Sequence, residues 1–143
     1  MSEELDRNLD LWKDQLEKAW LRIPKPFRSE RAVHRTLQCH LFRILQELGL
    51  RTVADYMPPR IADKPVDIIA VNDEKEIIYA LCLDTLVTLA AVKSLNSFAA
   101  VNKIIFTTGM LEKKVKESRF FLNEEIKHVH LKPFEKYSDK SQC

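Results

Sequence analysis

The sequence predicts a single α/β domain in three layers, with a mixed central β-sheet of four to five strands flanked by helices and an extra N-terminal amphipathic helix. Three observations predict it. A length of 143 residues suits one domain. Apolar residues recur at helical spacing in four segments, and several short runs between them are rich in aliphatic side chains. The predicted order is two helices, three strands, and then alternating helix and strand, which favours a strand meander followed by helical crossovers.

The first helix is predicted over residues 3–21. Its apolar stripe consists of Leu5, Leu9, Trp12, Leu16 and Trp20. Pro24 and Pro26 end the helix, because proline lacks the N–H that a helix needs. The stripe indicates an arm that packs on the domain or on a second subunit.

The second helix is predicted from Glu30 to Leu48, with Ser29 as its N-cap and Gly49 in the left-handed position after its last turn. Its expected buried face is Val33, Leu37, Leu41, Ile44, Leu45 and Leu48.

The remaining elements follow the same rules. Strands are predicted at residues 51–56, 65–71, 76–83, 103–108 and 125–131, and helices at residues 86–101 and 110–122. On the helix predicted at residues 86–101, the residues expected to face inward are Leu89, Val92, Leu95 and Phe98 or Ala99. The uninterrupted apolar run at 76–83 is typical of a central strand that is buried on both faces. The predicted units are an N-terminal helix (1–24), a domain (28–132) and a polar tail (133–143).

Composition excludes several classes of protein. The longest apolar run has seven residues, whereas a membrane-spanning helix needs about 20, and the acidic first ten residues do not resemble a signal peptide. Three cysteines without a CxxC pair favour reduced thiols and a cytoplasmic protein. With only two glycines, the sequence contains no glycine-rich phosphate-binding loop.

His128 and His130 share one strand face, as two zinc ligands could. Because the sequence places no third ligand beside them, we expect a plain exposed strand face.

The positive charge is concentrated in one part of the chain. Residues 20–60 carry eight basic and three acidic side chains, although the whole chain has a net charge of only +2. Arg28, Arg31 and Arg35 lie three to four residues apart and would line one side of the second helix, with Lys25 just ahead of them. Arginine binds phosphate with a planar fork, so these residues are candidate nucleic-acid contacts. The alternative is an ordinary solvated helix face.

Three segments resemble one nuclease family. Residues 62–70 (Ala-Asp-Lys-Pro-Val-Asp-Ile-Ile-Ala) resemble the strand that carries the first metal-binding aspartate of Mrr-like restriction endonucleases, in the PD-(D/E)XK nuclease superfamily. Residues 78–84 resemble the family's next strand, and residues 104–109 resemble a later strand end. The resemblance implies a restriction-endonuclease-like fold and puts Asp67 at the position of the catalytic aspartate.

The chemistry implied by this resemblance is phosphodiester hydrolysis assisted by Mg²⁺. An aspartate and a glutamate or glutamine hold the ion, and a lysine assists. This sequence departs from that pattern. One alignment puts Leu81 and Leu83 at the second ligand and the lysine, and a shift of one residue puts Ala80 and Cys82 there. No carboxylate-x-lysine pair results, so Asp67 is either a vestigial ligand or a structural residue that caps the strand or bonds to a basic side chain.

A rearranged active site is the alternative to a lost one. Asp84 could supply a second carboxylate, Lys93 an ammonium and Glu30 a further oxygen ligand. Each also has a structural interpretation: Asp84 as a helix cap, Lys93 as a solvated position, and Glu30 as a first-turn charge that the helix dipole favours.

Three hypotheses follow. The first is a catalytically inactive nuclease-like domain that binds nucleic acid or a partner protein, with no cofactor. The second is an interaction or homodimerisation module that uses the N-terminal helix and has no nucleic-acid role. The third is a Mg²⁺-dependent endonuclease with a rearranged site. None of them involves a membrane.

Overall fold

The computed structural model describes residues 2–60 and 64–134. The helices in this part of the chain are α1 (Ser2–Arg22), α2 (Glu30–Glu47), α3 (Leu89–Asn96) and α4 (Glu112–Ser118). The strands are β1 (Arg51–Tyr56), β2 (Val66–Val71), β3 (Ile77–Asp84), β4 (Asn102–Thr107) and β5 (Ile126–His130).

The strands form one mixed sheet in the order β1-β2-β3-β4-β5. The first three are antiparallel, as expected for a meander, and β3, β4 and β5 run parallel. Parallel neighbours require crossovers, which α3 and α4 provide. The predicted fold class is therefore confirmed: a mixed five-stranded sheet with flanking helices and an extra helix at the N-terminus.

Each face of the sheet has its own apolar core, which makes the fold three-layered. On one face, Ile68, Leu81 and Phe106 pack with the apolar sides of α1 and α2. On the other, Ile69 and Cys82 pack with α3. The alternation of side chains along a strand explains the division, since neighbouring residues point to opposite faces.

The N-terminal helix packs on its own domain. Trp12 and Trp20 are buried, and they meet Tyr79 and Phe134 edge to face with ring centroids 5.3 and 5.4 Å apart. The buried Glu17 accepts a hydrogen bond of 2.6 Å from the backbone N–H of Lys132. The apolar stripe of α1 is thus covered by this chain itself.

Two helices are shorter than predicted. Helix α3 begins at Leu89 rather than at residue 86, because the Thr88 hydroxyl caps it by accepting from the Ala91 N–H at 3.1 Å. Leu89 is exposed rather than buried, since the inward face of so short a helix begins at Ala91. Helix α4 ends at Ser118 and continues only as a 3₁₀ turn.

Two expectations for the end of α2 have opposite outcomes. Leu48, expected on the buried face, is exposed after the last helical turn. Gly49 has a φ of +85°, so the predicted left-handed position is confirmed.

The packed chain extends past the predicted end of the domain. Pro133 is buried and Phe134 is half-buried against Trp20. Residues 135–143 of the predicted tail, with Cys143, lie outside the described residues. None of the helices in residues 2–60 and 64–134 combines the length and apolar character that crossing a membrane requires.

Candidate functional site

A cleft of about 310 Å³ opens at the carboxyl ends of the parallel strands β3 and β4, beside the start of α2. Such strand ends are a common place for ligands in α/β folds. We call it the polar cleft. It is lined by Glu30, Arg31, His34, Arg35, Leu83, Asp84, Thr85 and Thr108.

Behind this cleft lies Asp67, which is buried on β2. Its Oδ1 is 2.6 Å from Nε2 of His34, and its Oδ2 accepts a hydrogen bond of 2.6 Å from the Leu83 N–H. A carboxylate buried at this depth needs such partners, because an unpaired charge there would be costly. Both of its oxygens are therefore engaged by the protein, one of them by a basic side chain.

Arg35 belongs to a network that joins α2 to the sheet. Its Nη1 donates to Oε1 of Gln38 at 2.8 Å and lies 3.2 Å from Oδ2 of Asp55. The amide of Gln38 in turn donates to Oδ1 of Asp55 at 2.8 Å and to the main-chain oxygen of Asp67 at 2.9 Å. Arg35 thus has a structural partner besides any ligand.

The second carboxylate, Asp84, is also engaged on both oxygens. Lys64 Nζ lies 2.7 Å from its Oδ2, and the Thr85 N–H donates to its Oδ1 at 2.9 Å. Burial lowers the pKa of Lys64, but the hydrogen bond and negative charge of Asp84, with the charge of Asp67, outweigh it and raise the pKa above its ordinary value. Lys64 therefore stays a cation at neutral pH.

The sheet register decides which residues stand beside Asp67. Ile68 pairs with Leu81 and Ile69 with Ala80, so the same register continued by one residue puts Cys82 opposite Asp67. Burial, and then the charge of Asp67, raises the pKa of the Cys82 thiol to about 12, so it is not a nucleophile at neutral pH.

Of the residues proposed for a rearranged site, the structure places Asp84 and Glu30 at the cleft, but Lys93 is exposed on α3. The cation beside Asp84 is Lys64, which the sequence reasoning missed. A signal was available, since Lys64 lies only three residues before Asp67 in the resembling segment. Glu30 is in the first turn of α2, whereas the cap of α3 is Thr88 and not Asp84.

Mg²⁺ binds oxygen ligands in near-octahedral geometry, whereas the sheet register puts the thiol of Cys82, and not a second carboxylate, opposite Asp67. The hydrogen bonds of Asp67 and Asp84 do not by themselves exclude an ion, because each carboxylate oxygen has two lone pairs. Across residues 2–60 and 64–134, no group of three or more histidine, cysteine, aspartate or glutamate side chains could hold a metal. Asp63 lies outside the described residues.

The predicted basic residues have different surroundings. Arg28 donates to the main-chain oxygens of Ile23 (2.8 Å) and Leu21 (3.1 Å), so it helps hold the turn between α1 and α2. Lys25 is exposed in the 3₁₀ turn. Arg31 is exposed at the polar cleft, and nothing in the described part of the chain pairs with it.

His128 and His130 do share one face of β5, but they are half-buried rather than exposed. Nε2 of His128 and Nδ1 of His130 lie 2.8 and 2.9 Å from the hydroxyl of the buried Thr107. Burial, with the nearby Arg119 and His130, lowers the pKa of His128 to about 4. Burial and Lys132 lower the pKa of His130 as well.

Comparison with known proteins adds little. No family model and no curated protein matches the sequence. Among solved structures, the chain is similar to the crystal structure of a repair endonuclease from Pyrococcus abyssi, with a TM-score of 0.40 and 17% identity. The similarity covers 74% of this chain and 48% of that endonuclease. Similarity at this level carries no argument about activity.

Proposed function

We propose that this chain is a restriction-endonuclease-like domain that has lost metal-dependent cutting and binds nucleic acid at the polar cleft. One observation carries the first part of the proposal. Among the described residues, no group of three or more histidine, cysteine, aspartate or glutamate side chains could hold a metal, and the sheet register puts Cys82 rather than a carboxylate opposite Asp67. Asp67 and Asp84 instead hydrogen-bond to protein donors, which include His34 and Lys64.

The nuclease origin is supported by the positions of the resembling segments. Residues 66–71 form β2, and the next strand along the chain, β3, lies directly beside it. In the family that the sequence resembles, the catalytic residues stand on these two successive strands. Asp67 lies on the first of these strands, the register puts Cys82 of the second strand opposite it, and Lys64 contacts Asp84 at the end of the second strand.

Nucleic-acid binding is supported by the charge at the start of α2. Arg31 has no protein partner among the described residues, so its guanidinium can bind a phosphate without losing an existing contact. Arg35, which is exposed on α2, and Lys25, which is exposed in the 3₁₀ turn before it, would add to the positive potential. A homodimer through α1 has less support, because Trp12 and Trp20 are buried within this chain.

The test is a salt titration of binding. Fluorescence anisotropy of labelled DNA and RNA would be measured in chelator, with wild-type protein, Arg31→Ala and the matched control Lys93→Ala, which removes an exposed cation elsewhere. Removing one phosphate contact lowers the slope of log affinity against log salt by about 1. We expect this loss for Arg31→Ala and none for Lys93→Ala. Equal slopes in all three proteins, or no binding of any nucleic acid, would contradict the proposal.

A further inference from the structure

A second cleft, of about 450 Å³, adjoins the polar cleft. We call it the apolar cleft. Trp20, Val33, Leu86 and Phe134 line it, and Met110 and Leu111 lie at its exposed edge. Its volume falls within the range of roughly 300–1,000 Å³ that is typical of small-ligand sites. Lys114 and Arg28 are its cationic residues.

The two clefts are joined through shared walls. Glu30, Thr85 and Thr108 line both of them. The loop after β4 passes very close to the loop after β3, since the Gly109 N–H donates to the Thr85 oxygen at 2.9 Å. A Cβ on Gly109 would lie 2.7 Å from that oxygen, so only glycine allows this approach. The junction between the clefts is therefore fixed by main-chain packing.

We propose that the two clefts together bind one unstacked nucleotide of a single-stranded nucleic acid, with its phosphate at Arg31 and its base in the apolar cleft. The inference rests on the proposed function and names its substrate class. In a duplex the bases are stacked and paired, and moving one base into a pocket costs a few kcal/mol, so a single strand offers a base to the cleft at lower cost.

The charges at the junction fix the direction of the nucleotide. Arg31 faces the polar cleft and attracts the phosphate, whereas Glu30 carries a negative charge without a partner among the described residues. A carboxylate repels phosphate but accepts hydrogen bonds from an exocyclic amino group. Glu30 therefore favours the base end of the nucleotide over its phosphate end.

The experiment compares single-stranded and duplex DNA of one length by fluorescence anisotropy. The test variant is Met110→Asp, and its charge-matched control is Val101→Asp, which alters an equally exposed apolar residue before β4, at the opposite end of that strand. Wild-type protein should prefer the single strand by about tenfold. Met110→Asp should weaken single-strand binding by about tenfold and Val101→Asp by less than about twofold.

Several outcomes would overturn the inference. If duplex binds as tightly as the single strand, or if both variants have equal effects, the apolar cleft does not hold a base, while the proposed function stands. If neither DNA binds, both proposals fail together. A Met110→Asp effect on capture of an apolar peptide, with none on DNA, would assign the cleft to a protein partner instead.

Discussion

Nε2 of His34 lies 2.6 Å from Oδ1 of Asp67, and this contact joins the first half of α2 to the buried start of β2. Among the described residues, the carboxylate oxygens of Asp67 have one other hydrogen-bond partner, the Leu83 N–H, which donates to Oδ2. The contact puts a basic side chain beside the residue that the sequence resemblance aligns with a catalytic aspartate.

The first prediction concerns this pair. His34→Ala leaves one oxygen of a buried carboxylate without its partner, and such a loss costs about 1–3 kcal/mol. Urea unfolding followed by circular dichroism would measure the change in the free energy of unfolding. The control is His40→Ala, which removes a half-buried imidazole from the same helix with no hydrogen bond to the sheet. Equal destabilisation by the two variants would show that the contact with Asp67 contributes nothing.

The second prediction concerns the N-terminal helix. Trp12 is 3% exposed in the main core, and truncation of such a residue to alanine costs about 3–5 kcal/mol. Its neighbour Leu11 is 54% exposed, so Leu11→Ala should change the free energy of unfolding by no more than about 0.5 kcal/mol. The same urea experiment measures both variants.

Deletion of residues 1–24 extends this test. It should unfold the domain, because it removes Trp12, Leu16 and Trp20 from the core around Leu37 and Leu41. A deletion variant that is folded and has merely changed from dimer to monomer would instead favour α1 as a dimerisation element. Sedimentation velocity and circular dichroism distinguish these results.

The third prediction is a pH dependence of stability. The pKa of His128 falls from 6.5 in the unfolded chain to about 4 in the folded protein, mainly because of burial. Between these values the unfolded state binds a proton that the folded state does not, so stability falls as the pH falls through this window. His130 has a lowered pKa as well and acts in the same direction.

The measurement is urea unfolding at about pH 7 and about pH 4.5, on either side of most of this window. His128→Asn should lose less stability on acidification than the wild type, because asparagine does not take up the proton. If the two proteins lose equal amounts of unfolding free energy, the titration of His128 does not contribute to the pH dependence of stability.

The helices and strands could be predicted from the sequence because local patterns determine them. The apolar stripe of α1 and the uninterrupted apolar run of β3 gave their positions to within a residue or two. The length of α3 could not be predicted in this way. The start of α3 depends on the hydroxyl of Thr88, which caps the helix. The apolar residues before and after α3 are also spaced as in a helix, although the backbone there is not helical.

The site was less predictable because it depends on pairing between distant residues. Asp67 was identified by its segment, but its partner His34 stands 33 residues earlier, and only the packing of α2 on the sheet brings them together. For a similar reason, the sequence suggested Lys93 rather than Lys64 as the ammonium of a rearranged site. The ammonium that reaches Asp84 comes from the chain before β2, whereas the expected one, on α3, is exposed.

Whether this domain cuts nucleic acid can be decided by a cleavage assay with labelled duplex DNA, single-stranded DNA and RNA, each with Mg²⁺, with Mn²⁺ and with chelator. Because the described residues offer no group that could hold a metal, we expect salt-sensitive binding without cleavage under every condition, and the same result for Asp67→Ala wherever that variant folds. Cleavage that requires the metal and disappears in Asp67→Ala would contradict it, since Asp67 would then be a working ligand.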